Sequence, residues 1–138
     1  MVRHIQSGNN RSRRGYTLIE LMIVMAIIVV LVAIAVPLYQ KSLLRSKEAL
    51  LHNNISTLRL VIDEYTVDKK KAPQTLRDLV NEGYLRQIPF DPITGRDDTW
   101  REINEDSLTA VDQTAPGIFD VRSGSDKVSL EGTPYSEW

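Results

Sequence analysis

Residues 18–36 read LIELMIVMAIIVVLVAIAV, an apolar run interrupted by a single charged residue, Glu20. With Tyr16 and Thr17 the run is about 21 residues long, and as a helix it would rise roughly 30 Å, the thickness of a bilayer's hydrocarbon core. A soluble domain has nowhere to put such a surface. The first expectation is therefore a membrane helix, and whatever follows Pro37 must fold as a separate body on one side of it.

Three readings fit the segment. Ala33-Ile34-Ala35 supplies the small-residue pattern of a secretory cleavage site, which would make the run a removable signal and leave a soluble exported domain. Arg11, Arg13 and Arg14 ahead of the run fit a plain signal anchor with a cytoplasmic N-terminus. That charge bias is modest, because Lys41, Arg45 and Lys47 stand beyond the other end. The third reading accounts for Glu20, which in hydrocarbon needs a partner. Cleavage between Gly15 and Tyr16 would create an amine four residues from Glu20, largely cationic at neutral pH. One copy's Glu20 would then neutralise the Tyr16 amine of another.

The stretch R-R-G-Y-T-L-I-E-L-M-I-V, residues 13–24, resembles the class III leader and N-terminal segment of type IV pilins and type II secretion pseudopilins. The resemblance implies that residues 1–15 are a leader removed by a prepilin peptidase, which then methylates Tyr16. It also implies that residues 16–36 form a transmembrane and assembly helix in which Glu20 serves assembly. Tyr16 stands where such proteins most often carry Phe. Pro37 is similar to the proline these proteins carry at the end of the apolar run; inside a continuing helix its ring would remove the hydrogen bond to the Ala33 carbonyl.

Beyond Pro37, Leu44, Leu51, Ile55, Leu58, Ile62 and Tyr65 recur at steps of 7, 4, 3, 4 and 3. This is one stripe of an amphipathic helix ending near Asp68, so residues 37–71 are expected to form the second half of a long spine. Lys69, Lys70 and Lys71 meet the negative end of its dipole. His52 lies one step off the stripe, with nothing in the sequence to make it catalytic.

Residues 72–138 are expected to form a small α/β head covering that stripe. Residues 74–82 read as a short helix with Leu76, Leu79 and Val80 inward, stopped by Gly83. Asp91-Pro92-Ile93-Thr94-Gly95 reads as a turn. Residues 99–103 and 117–121 read as strands of an antiparallel sheet joined by a loop over 106–116, a sheet too small to stand without the helix. The C-terminal Tyr135 and Trp138 would close over the sheet or face a neighbouring copy. The fold class is thus α+β, a long N-terminal helical spine packed in its second half on a small head. The order proline, short helix, Gly83-Tyr84-Leu85 and Asp91-Pro92-Ile93-Thr94-Gly95 resembles the G-type major pseudopilin rather than a pilus subunit.

Composition narrows the chemistry. There is no cysteine and there are only two histidines, so thiolate metal sites are excluded and histidine chemistry has little material. Of 17 basic residues, Arg3, Arg11, Arg13 and Arg14 precede position 16; the remaining 13 face 18 acids, a net of −5 that disfavours nucleic acid as a partner. Asp97, Asp98, Glu102, Glu105 and Asp106 lack any accompanying catalytic motif, so no enzyme is expected. No cofactor is expected either, although the resemblance raises calcium in the last loop. Asp120, Asp126 and Glu131 are the carboxylates on offer there, against the six to eight oxygens calcium takes.

What the resemblance implies in function is a structural subunit of a periplasmic pseudopilus in type II secretion. It would sit in the bacterial inner membrane as a single-pass protein with a cytoplasmic N-terminus and a periplasmic head, then enter a helical filament of like copies. Its partners would be the prepilin peptidase, minor pseudopilins, an assembly platform and an ATPase. The alternatives are a type IV pilus subunit for adhesion or motility and a secreted soluble periplasmic domain.

Overall fold

A computed structural model describes Gly15, residues 17–108, Val111 and residues 115–138. The elements are α1 (Leu18–Lys69), α2 (Leu76–Asn81), β1 (Arg101–Asn104), β2 (Ile118–Arg122) and a 3-10 turn at Tyr135–Glu137. The chain divides into two compact units between Tyr39 and Gln40, so the second half of the spine and the head are one unit. The expected leader lies outside the described residues apart from Gly15, as does Tyr16.

In the first unit α1 begins at Leu18, with the Leu21 N–H donating to the Thr17 carbonyl at 3.1 Å. Every described side chain from Leu18 to Tyr39 is exposed, and the segment is long and apolar enough to cross a membrane. Helix α1 runs through Pro37 and stays helical to Lys69.

The second unit is built on the predicted stripe. Leu51, Ile55, Leu58, Val61, Ile62 and Tyr65 of α1 are buried in one cluster with Leu76 and Leu79 of α2, Trp100, Ile118 and Val121 of the sheet region, and Tyr135. Burying a side chain of this size contributes about 1.5–3 kcal/mol, and this one face of α1 supplies half of the cluster. At the end of α1, Lys70 takes a left-handed φ of 56° and Lys69 pairs with Glu82 at 2.7 Å.

Helix α2 is shorter than predicted. Thr75 is its extended N-cap residue, and the Asp78 carboxylate accepts the Gln74 and Thr75 N–H groups at 2.9 and 3.0 Å, which stops the helix from starting earlier. Gly83 ends it with a φ of 83°, and Val80 is half-buried rather than fully inward.

The sheet has two antiparallel strands, paired Arg101 with Arg122, Glu102 with Val121 and Ile103 with Asp120, then a bulge before Asn104 with Ile118. Strand β1 starts two residues later than predicted. Thr99 and Trp100 are engaged elsewhere: the Thr94 and Thr99 hydroxyls are 2.6 Å apart, and the Trp100 indole N–H donates to the Pro89 carbonyl at 2.7 Å. Two close approaches need glycine. A Cβ on Gly117 would lie 2.6 Å from that of Ala72, and one on Gly124 would lie 1.8 Å from the Thr99 carbonyl oxygen.

Candidate processing and assembly segment

The residues singled out by sequence fall at the start of α1. Gly15 is exposed, and a Cβ placed there would meet nothing within 4 Å. The Glu20 N–H donates to the Thr17 hydroxyl at 3.3 Å, so Thr17 occupies the N-cap position and Glu20 the first turn. A hydroxyl there satisfies a backbone donor that has no partner within the helix, and an acid in the first turn meets the positive end of the helix dipole. Thus Thr-Leu-Ile-Glu works as a helix start whatever else it does. The capping spacing was visible in the sequence and is the signal that the membrane argument passed over. Among the described residues no group meets the Glu20 carboxylate.

Pro37 is exposed within α1. Lacking an N–H, it cannot donate to the Ala33 carbonyl, and the helix loses one rung at the end of the apolar run.

In the head, the spine carries three polar side chains that hold later segments. The Glu48 carboxylate, 8% exposed, accepts the Leu130 N–H at 2.8 Å and the Tyr135 hydroxyl at 2.7 Å on the same oxygen. The Asn54 amide donates to the Phe90 carbonyl at 2.9 Å. Arg59 pairs with Asp120 at 2.6 Å and donates to the Val121 carbonyl at 3.3 Å. Burial, reinforced by the hydrogen bond to Glu48, pushes the Tyr135 phenol up to about 12. Sequence reasoning missed Glu48. The step of seven between Leu44 and Leu51 was the clue, since position 48 fills it with the 4–3 spacing of the rest of the stripe.

Asp91 is fully buried and was read only as a turn residue. One of its oxygens accepts the Ile93 and Thr94 N–H groups at 2.8 and 3.3 Å, while the other accepts the Ser123 hydroxyl at 2.5 Å. The turn thereby anchors the segment that follows β2.

The three calcium candidates are not brought together. Asp120 is bound to Arg59, Asp126 is paired with Arg101 at 2.7 Å, and Glu131 is exposed. Among the described residues no three acids or histidines form a group that could hold a metal. This donor set does not fit a calcium ion, because two of its three carboxylates already carry an arginine. Two of the clustered acids of the enzyme reading are likewise engaged: Asp98 is paired with Arg96, whose hydrogen bond holds that carboxyl below its usual range, and Glu102 accepts the Leu76 N–H at 3.1 Å. His52 stacks on Trp138 with ring centroids 4.0 Å apart, and Trp138 meets Tyr135 edge to face. Trp138 therefore closes onto α1, while Tyr135 packs in the cluster that also holds Ile118 and Val121 of β2.

A profile described as the prokaryotic N-terminal methylation motif matches residues 10–36. The type IV major fimbrial protein FimA of Dichelobacter nodosus is 44% identical over 62 residues, 45% of this chain and 39% of its own length. The type II secretion system core protein G of Pseudomonas aeruginosa is 28% identical over 98 residues, covering 59% of this chain and 69% of that protein. Its counterpart in Pectobacterium carotovorum is 30% identical over 103 residues, with shares of 63% and 65%. The chain thus spans about two fifths of the fimbrial relative and about two thirds of the secretion-core relatives. No solved structure matches it.

Motif, apolar helix and α+β head together make this chain similar to type IV pilin-like proteins. Its relatives include both fimbrial proteins and type II secretion core proteins G, and the expectation of a structural subunit rather than an enzyme agrees with those names.

Proposed function

We propose that this chain is the G-type major pseudopilin of a type II secretion system. A prepilin peptidase cuts between Gly15 and Tyr16 and methylates the Tyr16 amine. The apolar helix holds the protein in the bacterial inner membrane, N-terminus in the cytoplasm and head in the periplasm. Many copies then join a short helical filament raised by an assembly platform and its ATPase, with minor pseudopilins as further partners. In that filament Glu20 of one copy neutralises the Tyr16 amine of another, and Pro37 loosens the helix as copies pack.

The observation that carries this reading is the extent of the alignments. Secretion-core relatives align over 59–63% of the chain, and the fimbrial one over 45%. The further reach, together with the Gly83-Tyr84-Leu85 and Asp91-to-Gly95 series, supports likeness in the head as well as the shared N-terminal segment. The higher identity of the fimbrial match, 44%, favours the second reading, a type IV pilus subunit.

Intact mass and N-terminal sequencing of membrane-extracted protein, from cells with and without their prepilin peptidase, test the processing. A methylated start at Tyr16 that depends on the peptidase supports the reading; a start at Val36 or an uncut Met1 overturns it. Deleting the gene then separates the two filaments: loss of protein export with surface pili intact supports the pseudopilin, and loss of pili with export intact supports the pilus subunit.

A further inference from the structure

Three cations stand where the topology rule does not want them. Lys41, Arg45 and Lys47 lie four, eight and ten residues past Pro37, on the side of the apolar run opposite Arg11, Arg13 and Arg14. Orientation signals of this kind place an excess of Lys and Arg on the cytoplasmic side. A second basic cluster on the far side weakens that signal and calls for a reason of its own.

The structure leaves these cations unpartnered. All three are exposed, and among the described residues none forms an ion pair. The first acid of α1 beyond them, Glu48, is buried and turned to Leu130 and Tyr135. It is also the first buried residue of α1, so residues 38–47 form a neck with no buried side chain, and only Leu44 is even half-buried. The neck begins with Leu38 and Tyr39, 64% and 69% exposed, an apolar and an aromatic side chain of the kind that settles at a membrane–water boundary.

Charge and arrangement select the occupant. The neck carries +3, while residues 48–138 carry ten basic and seventeen acidic side chains, net −7. An anionic bilayer surface attracts the first and repels the second. On a helix Lys41 and Arg45 share one face, and Lys47 projects from nearly the opposite one. Such a collar is not matched to a partner docking on one side; it suits a surround of small anions. Lys and Arg stems are long enough to reach back several Å to a headgroup layer.

We propose that Lys41, Arg45 and Lys47 form a collar that binds anionic phospholipid headgroups of the outer leaflet of the membrane the chain is anchored in. This rests on the membrane-anchored reading above. The collar fixes the depth of the helix in the bilayer. It is also an attraction that must be broken when a copy leaves the bilayer for a filament.

The test uses the full chain with phosphatidylglycerol and phosphatidylcholine as probes. Wild type and the triple variant Lys41→Gln, Arg45→Gln, Lys47→Gln are first reconstituted into vesicles, then equilibrated in detergent with equal amounts of the two lipids and weighed intact with their bound lipid. Wild type is expected to retain phosphatidylglycerol about fivefold or more over phosphatidylcholine, with the preference falling as salt rises. The triple variant should insert equally and lose the preference, and Lys41→Arg with Lys47→Arg should keep it. A chain that does not enter vesicles overturns the anchored reading itself. A chain that enters but takes both lipids alike, a triple variant that keeps the preference, or a collar that cross-links to the acidic head of a second copy without lipid preference overturns the collar while leaving the anchor intact.

Discussion

The carboxylate of Glu48 and the hydroxyl of Tyr135 meet at 2.7 Å across 87 residues of chain, and both are buried. The Leu130 N–H reaches the same oxygen, so one acid on the spine fastens two points of the C-terminal segment. A hydrogen bond to a charged acceptor is worth about 1.5–3 kcal/mol. Tyr135→Phe is expected to destabilise the head by that amount, and Glu48→Ala by more, since it leaves the Leu130 N–H and the phenol both without their acceptor. Denaturant unfolding followed by circular dichroism measures both; equal stability of wild type and Tyr135→Phe would contradict the contact.

Alkali should act on the same pair. The Tyr135 phenol is raised from its ordinary value to about 12, so the neutral form is the one the fold favours. Its contribution is fully present below the unfolded value near 10 and is lost as pH climbs through about 12. Tyrosinate absorbance should show a late-titrating component accompanied by loss of folded signal, and Tyr135→Phe should remove that component.

Gly124 sits against the Thr99 carbonyl, where a Cβ would lie at 1.8 Å from a backbone oxygen that no rotamer change can move. Gly124→Ala is expected to cost at least about 2 kcal/mol, at the upper end of what overpacking costs. Thermal unfolding of the variant beside wild type measures the loss, and an unchanged melting temperature would contradict the close approach.

Lys70 holds a left-handed conformation at the end of α1, with φ at 56°. For a residue with a Cβ this costs roughly 1–2 kcal/mol, which glycine avoids at the expense of a looser unfolded chain. Lys70→Gly is expected to raise stability by about 0.5–1 kcal/mol. A lower melting temperature for that variant would mean that the Lys70 side chain contributes a contact that outweighs its backbone cost.

Pro37 removes one hydrogen bond from α1. In Pro37→Ala, protection of amides in the turn around Ala33 against hydrogen exchange in detergent is expected to rise. Unchanged protection would show that the neighbouring rungs already hold that turn closed.

The long elements were legible because each rests on a repeated signal. The apolar run marked the first half of α1, and six stripe positions marked the second half to within one residue of Lys69. What escaped were single polar residues whose partners are far away in sequence. Glu48 falls in a gap of the stripe, and no local pattern announces that residues 130 and 135 will meet it. Asp91 was legible as a turn former, but its bond to Ser123 depends on the packing of β2. The start of β1 was misplaced for a related reason: Thr99 and Trp100 have strand propensity, and tertiary bonds to Thr94 and Pro89 override it. The acids at Asp120 and Asp126 look free in sequence, and only the fold brings Arg59 and Arg101 to them.

The long reach of Glu48 also dictates a schedule. Residues 48–65 of the spine emerge from the ribosome well before the partners that complete their cover, at positions 130 and 135. Closing loops of that span is slow and yields nothing until both ends are present. During synthesis the cover that α2 and the strands lay on the stripe from Leu51 to Tyr65 stays incomplete, and its apolar surface partly open, until Leu130 and Tyr135 have emerged.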